Sequence, residues 1–340
     1  MALNWLVTGG CGFLGTALIR HLLAEDLAQH IRVLDNLSVG SREDLAAVCN
    51  FTESSVISLR NDAPSPSAMV ELAVGDIRDA GTCSLCSRGM DVIIHLAANT
   101  GVPVSVDNPR LDMESNVIGT FNMLEGARAQ GVSRFVFASS GAPAGEVEPP
   151  IHEELPPHPV SPYGASKLAG EGYCSAYHKS FGVDTVVLRF GNVYGPGSTH
   201  KTSVVAKFIK KALVGEPLEI YGDGSQTRDF IYIDDLINAV ILAATKSGIG
   251  GEIFQIATSN ETTVNEITDT IVRVLSDQGI KRPEIVMSEP RTGDVKRNFS
   301  DTSKARAMLG WKCLWNLEEG ISETVRYFCS RHNDINGDIS

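Results

Sequence analysis

The sequence predicts an α/β fold: a doubly wound parallel sheet followed by a smaller carboxy-terminal α/β unit. Short runs rich in Val, Ile, Leu and Phe alternate along the 340 residues with longer helical stretches. This alternation is typical of a parallel sheet covered by helices on both faces. The apolar runs lack the polar–apolar alternation of a strand with one face in water, so we expect strands buried on both sides.

Six segments are predicted as the strands of this sheet. In chain order they are residues 4–9, 31–35, 70–76, 91–97, 134–140 and 184–190. Longer stretches between them are predicted as helices, at 13–24, 116–130 and 163–181. Residues 50–68 break the rhythm with Ser, Asn and Pro, and we expect a polar surface insertion there.

The alternation loosens after about residue 195, which divides the chain. We place the first unit at 1–190, with 229–257 packing back onto it, and the second unit at 191–330. The last ten residues, 331–340, are polar and are predicted as a frayed tail.

Composition excludes several kinds of partner. The net charge is −12 and the chain has no basic run, so we expect no binding to nucleic acid. No apolar run approaches ~20 residues, so we expect no membrane span. The seven cysteines are scattered, which favours a reducing cytoplasm over a disulfide framework. Cys83 and Cys86 form one CxxC without a second ligand pair, so we predict no metal site.

A glycine-rich turn follows the first predicted strand. In "VTGGCGFLG", Gly9, Gly12 and Gly15 have the GxxGxxG spacing of a Rossmann-type dinucleotide site, whose phosphates lie at a helix N-terminus. Asp35 ends the second strand, where a carboxylate accepts the ribose hydroxyls and disfavours a 2′-phosphate, so NAD is predicted over NADP. The alternative for Asp35 is a cap of a turn or helix. For Asp76, after the third strand, a helix N-cap is equally plausible.

A second motif places a tyrosine and a lysine on one helical face. In "SPYGASK", Tyr163 and Lys167 are four residues apart. Tyrosine titrates near ~10 in water, and a neighbouring ammonium favours its phenolate, so the pair predicts a general base. An ordinary surface pair is the alternative. The upstream glycine motif and the serines of "RFVFASS" favour the catalytic interpretation.

Together these motifs resemble the extended short-chain dehydrogenase/reductase family, the NAD-dependent sugar-nucleotide epimerases and dehydratases. The resemblance runs from Leu3 to about Tyr327, and it also includes "GDIRD", "HLAA", "NVIGT", "LRFGNVYGPG", "GDGSQTRDFIYIDD" and "RTGDVKRNFSD". It implies that Tyr163 is the base, that Ser140 bonds the sugar 4-oxygen, and that Lys167 holds the nicotinamide ribose.

The resemblance also implies the remaining site residues. The expected NAD contacts are Gly9, Gly12, Phe13, Leu14, Gly15, Asp35, Asn36, Asp76, Ile77, Leu96, Ala97, Ala98, Asn116, Ser139, Tyr163 and Lys167. The expected contacts of a nucleotide-diphosphate sugar are Ser140, Asn192, Val205, Arg228, Arg291, Asp294 and Asn298. A turn role for Asn192 and an ion pair of Arg228 with Asp229 are the alternatives. Arginine suits a diphosphate because its guanidinium is forked and always charged.

The residues after Ser140 bear on the reaction. In dehydratases of the family an Asp-Glu pair stands there, and in UDP-glucuronate decarboxylases a Glu, whereas this sequence has Gly141 and Ala142. The resemblance therefore implies 4-epimerisation through a 4-keto sugar. Pro143 and Ala144 replace a common Val-Tyr. We expect the loss of that ring to open room near the sugar, which leaves the exact sugar open. A dehydratase, decarboxylase or reductase of the family, and a protein that binds NAD without turnover, are the alternatives.

Two finer expectations follow from the same resemblance. The helices at 116–130 and 163–181 match a pair that commonly forms a dimer interface, so we expect a homodimer. Asn298 matches a position that walls the sugar pocket, where a residue smaller than tyrosine admits an N-acetyl group. A turn role for Asn298 is the alternative.

Overall fold

The protein, seen here in a computed structural model, is described over residues 2–60, 69–290 and 295–337. Its strands are β1 (Leu3–Thr8), β2 (Ala28–Asp35), β3 (Thr52–Ser54), β4 (Val70–Val74), β5 (Val92–His95), β6 (Arg134–Ser140), β7 (Thr185–Phe190), β8 (Asn192–Tyr194), β9 (Leu218–Tyr221), β10 (Thr227–Arg228), β11 (Phe230–Tyr232), β12 (Ile253–Ile256), β13 (Thr262–Thr263) and β14 (Ile285–Ser288). Eight of them form one parallel sheet in the order β12-β7-β6-β5-β1-β2-β4-β3.

Helices cover both faces of this sheet. The α-helices of the described residues are α1 (Phe13–Ala24), α2 (Arg42–Ala46), α3 (Ala80–Ser87), α4 (Val102–Asp107), α5 (Pro109–Met113), α6 (Gly119–Gln130), α7 (Pro162–Phe181), α8 (Val204–Leu213), α9 (Ile233–Thr245), α10 (Val264–Asp277) and α11 (Leu317–Gly337). Successive residues of β1 enter different cores: Trp5 and Val7 join one that α1 and α9 share, and Leu6 joins one that α3, α6 and α7 share. The strands are thus buried on both sides, as their apolar composition predicts.

The direction in which successive strands are added to the sheet reverses at β1. From β1 the chain moves outward through β2 and β4 on one side, and through β5, β6 and β7 on the other. In an open parallel sheet a ligand crevice forms at the carboxyl ends of the strands flanking such a point. This edge therefore brings together the loops after β1, β2, β5 and β6.

The remaining strands belong to a smaller unit beside that edge. β8 pairs with β11 and β9 with β14, both in parallel, while β10 and β13 pair antiparallel. Helices α8, α10 and α11 pack on these strands, and Val205, Ile271 and Val325 lie in their shared core. β12, from the segment 229–257, pairs with β7 in the large sheet.

The structure differs from the sequence-based expectations in two segments. Within 50–68, residues Thr52–Ser54 form β3 at the edge of the large sheet, and 61–68 lie outside the described residues. The tail predicted at 331–340 is helical as far as Gly337, because α11 continues from the core into it. The apolar periodicity of α11 weakens over these polar residues, so no sequence pattern predicts the helix there.

Two further observations concern predicted absences. None of the helices within the described part of the chain is long and apolar enough to cross a membrane. Cys83 and Cys86 lie buried in α3, all seven cysteines are free, and no group of His, Cys, Asp and Glu side chains suited to a metal occurs over the described residues.

Candidate active site

The glycine-rich loop connects β1 to α1 at the carboxyl edge of the sheet. Gly9 has φ +68°, and a Cβ there would lie 2.9 Å from the backbone nitrogen of Ala97, so the loop can pass close to the strand-end of β5 only as glycine. Gly12 is the N-cap of α1 and provides no side-chain cap. A Cβ on Gly12 would meet only the Gly9 carbonyl, at 3.3 Å, so the space beside the helix N-terminus is open. This cradle suits a phosphate.

Asp35 stands at the end of β2, against that loop. Its Oδ2 accepts the N–H of Cys11 at 2.9 Å and its Oδ1 accepts that of Leu37 at 2.8 Å. Burial raises the pKa of this carboxyl, and the two N–H groups oppose the rise. Asp35 therefore caps no helix: it fixes the glycine-rich loop, and each oxygen keeps a lone pair for a ligand hydroxyl.

Asn36 and Asp76 lie next to each other at the ends of β2 and β4. The Nδ2 of Asn36 donates to Asp76 Oδ2 at 3.1 Å, and Arg78 pairs with the same carboxylate at 2.8 Å. These bonds, that of Arg78 first, lower the pKa of Asp76 to about 2. The N-cap of α3 is Asp79, so the helix-cap alternative for Asp76 is wrong.

The loop after β5 forms the opposite wall of the crevice. Residues 96–98 follow the strand, and the Ala97 N–H donates to Thr8 Oγ1 at 3.1 Å. The same hydroxyl bonds His95 Nδ1 at 2.8 Å, and burial lowers the pKa of this histidine to about 3, so the imidazole is neutral. Sequence reasoning missed His95, which pins the two strand ends together.

Ser140, Tyr163 and Lys167 meet where β6 ends and α7 begins. Ser161 caps α7 by accepting the Gly164 N–H at 3.1 Å, which sets Tyr163 in the first turn and Lys167 one turn later. The Lys167 ammonium is 3% exposed, donates to the Ala138 carbonyl at 2.8 Å, and lies 5.9 Å from the Tyr163 ring centre.

The pKa shift of Tyr163 differs from the lowering that its neighbour Lys167 is expected to cause. Burial raises the pKa of Tyr163, and the hydroxyl of Ser140 only partly opposes the rise. Burial lowers the pKa of Lys167 to about 8. The predicted lowering of the tyrosine pKa by the lysine is not seen in the chain alone, because desolvation of the phenol dominates.

Two residues predicted to contact NAD have side chains that are buried and hydrogen-bonded within the protein. Asn116 is 1% exposed, and its Nδ2 donates to Asn99 O, Asp112 Oδ1 and Ser166 Oγ at 3.0, 2.9 and 3.1 Å. Ser139 is 3% exposed and donates to Glu171 Oε1 at 2.6 Å. Their side chains therefore support the crevice wall from behind. Phe13 and Ile77 are also mostly buried, and Leu14 is partly accessible.

The predicted substrate residues lie on the smaller unit. Asn192 is partly exposed in β8, and Asn298 is half-buried with its N–H bonded to Thr227 Oγ1 at 3.3 Å. Arg228 Nη1 donates to the carbonyls of Thr227 and Val295 at 2.6 and 2.7 Å. Val205 is 1% exposed and lies in the core, so the structure does not present it as a ligand contact. Arg291 and Asp294 lie outside the described residues.

In the turn after Ser140, Gly141 faces open space and Ala144 is buried. A Cβ on Gly141 would have no described atom within 4 Å, so this position faces free space. Ala144 is 1% exposed, and the N–H of Gly145 bonds back to Ala142 O at 3.1 Å. Ala144 therefore lines no open pocket, and replacing the usual tyrosine by it adds no accessible room here.

The fold and site define a nucleotide-binding α/β enzyme of the Rossmann type, with a Ser-Tyr-Lys constellation at the cofactor crevice. A family model described as "NAD dependent epimerase/dehydratase family" matches residues 5–257. The chain belongs to this family.

Three relatives illustrate the likeness. The UDP-glucose 4-epimerase of Mycolicibacterium smegmatis is 36% identical, over 95% of this chain and 97% of its own. The crystal structure of the Thermotoga maritima UDP-glucose 4-epimerase is 34% identical, with a TM-score of 0.84 over 97% and 99% of the chains. The Methanobrevibacter ruminantium UDP-N-acetylglucosamine 4-epimerase is 30% identical, with a TM-score of 0.84 over 97% and 99%. Some dTDP-glucose 4,6-dehydratases also match.

Proposed function

We propose that the protein catalyses the 4-epimerisation of a nucleotide-diphosphate sugar, with NAD as cofactor, through a transient 4-keto sugar. One observation carries the proposal above the others: Ser140, Tyr163 and Lys167 meet at the same edge of the sheet as the glycine-rich loop, and the next position, Gly141, offers no acid or base. Membership of the family and the 4-epimerases among its relatives support the same reaction.

The crevice fits a dinucleotide. The open cradle at Gly12 suits the pyrophosphate, and the carboxylate of Asp35 suits ribose hydroxyls and disfavours a 2′-phosphate. Lys167, at the other end of the crevice, would hold the nicotinamide ribose. When bound, NAD supplies reversible hydride acceptance at sugar carbon 4.

Residues of the chain remove, hold and return the proton of the sugar 4-hydroxyl. Tyr163 takes the proton of the sugar 4-hydroxyl and returns it to the 4-oxygen of the other epimer. Ser140 bonds that oxygen and orients it toward the phenol. The ammonium of Lys167 favours the phenolate electrostatically once the site is filled, because a positive charge in a desolvated site acts strongly.

The smaller unit holds the nucleotide half. Arg228 lies partly buried on β10, and a guanidinium suits the diphosphate. A firm grip on the diphosphate lets the sugar turn its other face toward the cofactor, which inversion at carbon 4 requires. Asn192 and Asn298 are proposed as sugar and nucleotide contacts on the same side.

Gly141 and Ala142 argue against dehydration. Elimination of water from the 4-keto sugar needs an acid and a base near carbons 5 and 6. In the described part of the chain, the space next to Gly141 contains no atom within 4 Å of its would-be Cβ. Return of the hydride is the step that such a site supports.

Product and label analysis tests the reaction. The purified protein is incubated with a panel of UDP- and dTDP-sugars, and we expect 4-epimers without added cofactor. Deuterium placed on carbon 4 should remain in the epimer, and heavy water should introduce none at carbon 5. A 4-keto-6-deoxy product would show a dehydratase instead, and stoichiometric NADH would show a dehydrogenase.

We also propose a homodimer. Phe121 on α6 and Tyr173 and Phe181 on α7 are 37%, 40% and 55% exposed, and their rings join through Tyr177 into one chain of aromatic contacts. An apolar surface on two adjacent helices suits the same surface of a second copy. A cytoplasmic location is part of the proposal, supported by the seven free cysteines.

A further inference from the structure

Asp112 is a buried carboxylate behind the catalytic helix, and none of the motifs accounts for it. It lies on α5 and is 1% exposed. Its Oδ1 accepts from Asn116 Nδ2 at 2.9 Å, whereas its buried Oδ2 makes no hydrogen bond with any described residue. Burial raises the pKa of this carboxyl, and the Ser166 hydroxyl and the charge of Lys167 oppose the rise. Burying the charged form is costly unless such a positive charge lies near.

The candidate positive charge is the ammonium of Lys167. Among the described residues, five charged or ionisable groups besides Tyr163 interact with it: Asp112 from α5, Glu171 and Cys174 from α7, Lys201 from the loop before α8, and the neutral His95 from β5. Burial raises the pKa of Cys174, so its thiol is neutral, and Lys201 is itself a cation.

The negative charge of Glu171 is already neutralised by an ion pair with Arg189. Its carboxylate receives the Nε and Nη2 of Arg189 at 2.8 and 2.7 Å, and both side chains are buried. Asp112 has no such ion pair with a described residue. Of the two acids facing Lys167, it is therefore Asp112 whose charge remains to oppose the ammonium.

A chain of hydrogen bonds also connects Asp112 to the catalytic tyrosine. Asn116 Nδ2, which bonds Asp112, donates to Ser166 Oγ at 3.1 Å. Ser166 in turn donates to the backbone carbonyl of Tyr163 at 3.0 Å. The carboxylate thus touches the first turn of α7 through two side chains.

We propose that Asp112 is a positioning residue for the catalytic pair, whose buried charge opposes Lys167 and whose contacts with Asn116 and Ser166 fix the turn that carries Tyr163. The proposal rests on the function proposed above for that pair. It extends the site to α5, outside every motif on which the assignment depends.

The charge has a definite effect on both members of the pair. The negative charge of Asp112 raises the pKa of Tyr163 and that of Lys167. Replacing it by Asn lowers both pKa values. The base then forms at lower pH, so the acid limb of the rate profile moves down, and the ammonium is lost at lower pH, so the alkaline limb moves down too.

The first test is the pH profile of kcat for Asp112→Asn. We expect the ratio of variant to wild-type kcat to be several-fold larger at about pH 6 than at about pH 9, which corresponds to a common displacement of both limbs. Asp107→Asn, which removes an exposed carboxylate from α4, is the matched control and should leave the profile in place. A uniform fall in kcat with an unmoved profile would reduce Asp112 to a structural role and overturn the proposal.

The second test needs neither turnover nor a folded Asp112 variant. Lys167→Met removes the opposing cation, which makes the buried carboxylate easier to protonate. We expect the stability of this variant, relative to wild type, to rise as the pH falls from about 7 to about 5. Free energies of unfolding from urea titrations measure it, and a pH-independent difference would contradict the charge pairing. If this result holds while wild type converts no nucleotide sugar, the proposed function fails and the pairing stands.

Discussion

Burial shifts the pKa values of Tyr163 and Lys167 in opposite directions, and these shifts determine the protonation state of each side chain in the chain alone. It raises the pKa of the Tyr163 phenol and lowers that of the Lys167 ammonium, because desolvation disfavours whichever form carries charge. The chain by itself therefore holds a protonated phenol beside a readily deprotonated lysine. A positive charge close to the phenol, from the Lys167 ammonium or from bound NAD, would favour its phenolate.

The first prediction concerns Tyr163→Phe. Loss of the hydroxyl removes the positioned acid–base group, so kcat should fall by at least ~10²–10⁴. NAD content and melting temperature should stay as in wild type, because the ring remains. Tyr173→Phe, an exposed tyrosine on the same helix, should remain active. Near-normal rates for Tyr163→Phe would mean that another group is the base.

The second prediction concerns pH. The pKa of Lys167 is lowered to about 8, so the side chain is an ammonium below that pH and neutral above it. We expect kcat to decline as the pH rises through about 8. Lys167→Arg keeps its charge at every accessible pH, so it should lack this decline even if its rate is low. A decline of the same position in both proteins would assign the limb to another group.

The third prediction concerns substrate size. Asn298 is half-buried near Thr227, next to the proposed diphosphate site at Arg228. If it walls the sugar pocket, Asn298→Tyr should lose activity on UDP-N-acetylglucosamine and retain it on UDP-glucose, because steric exclusion costs about 1–3 kcal/mol. The ratio of the two kcat/KM values measures the effect. An unchanged ratio would leave Asn298 as a turn residue, and Ala144, being buried, offers no substitute explanation.

At the scale of the elements, α7 is held to the sheet by a buried polar network rather than by apolar packing alone. Glu171 on α7 receives Arg189 from β7 and Ser139 from β6. The network fixes α7 against the end of β6, and hence Tyr163 and Lys167 relative to Ser140.

The fourth prediction tests this network through Glu171→Ala. The change leaves a buried guanidinium without its partner, which should lower the free energy of unfolding by about 3–5 kcal/mol. Urea denaturation at neutral pH measures it. Glu323→Ala, which breaks a pair whose arginine is 61% exposed, should cost far less. Equal losses of unfolding free energy in the two variants would show that the buried pair of Glu171 and Arg189 contributes no more than an exposed one.

The elements that sequence patterns locate are those whose signal is local. The helices predicted at 13–24 and 163–181 match α1 and α7 within one residue, and the six predicted strands all lie in the large sheet. The sequence analysis does not predict β3, whose three residues are polar, or β12, whose apolar run is short and lies within the segment 229–257. The helix predicted from residue 116 instead follows a π-turn at Glu114–Ile118, where Asn116 bonds across to Asn99.

The residues of the candidate site also divide into those that a local sequence pattern predicts and those that only the fold brings together. The glycine spacing, Asp35 and the Tyr163–Lys167 pair can be read from short motifs. The supporting contacts cannot: Asn116 and Ser166 are fifty positions apart, and Ser139 and Glu171 thirty-two. Only the fold shows that Asn116 and Ser139 face inward and that Asp112 stands behind the lysine.

At the scale of the whole molecule, the exposed aromatic face of α6 and α7 leads to the fifth prediction. Light scattering of the purified protein should give twice the chain mass. Tyr173→Glu places a charge in the proposed interface and should shift the mass toward the monomer, whereas Leu314→Glu, at a 74% exposed site on another surface, should not. A wild-type monomer at micromolar concentration would contradict the dimer.

The return of the chain to the large sheet at β12 has a consequence for how this protein can be taken apart. A single cut after β7 would strip the sheet of its outermost strand and open the flank of β7 to foreign strands. The chain thus passes between the large sheet and the smaller unit three times, after β7, before α9 and after β12. Replacing the smaller unit as a whole would therefore require all three connections to be rebuilt at once, whereas a change within one of its loops leaves them intact.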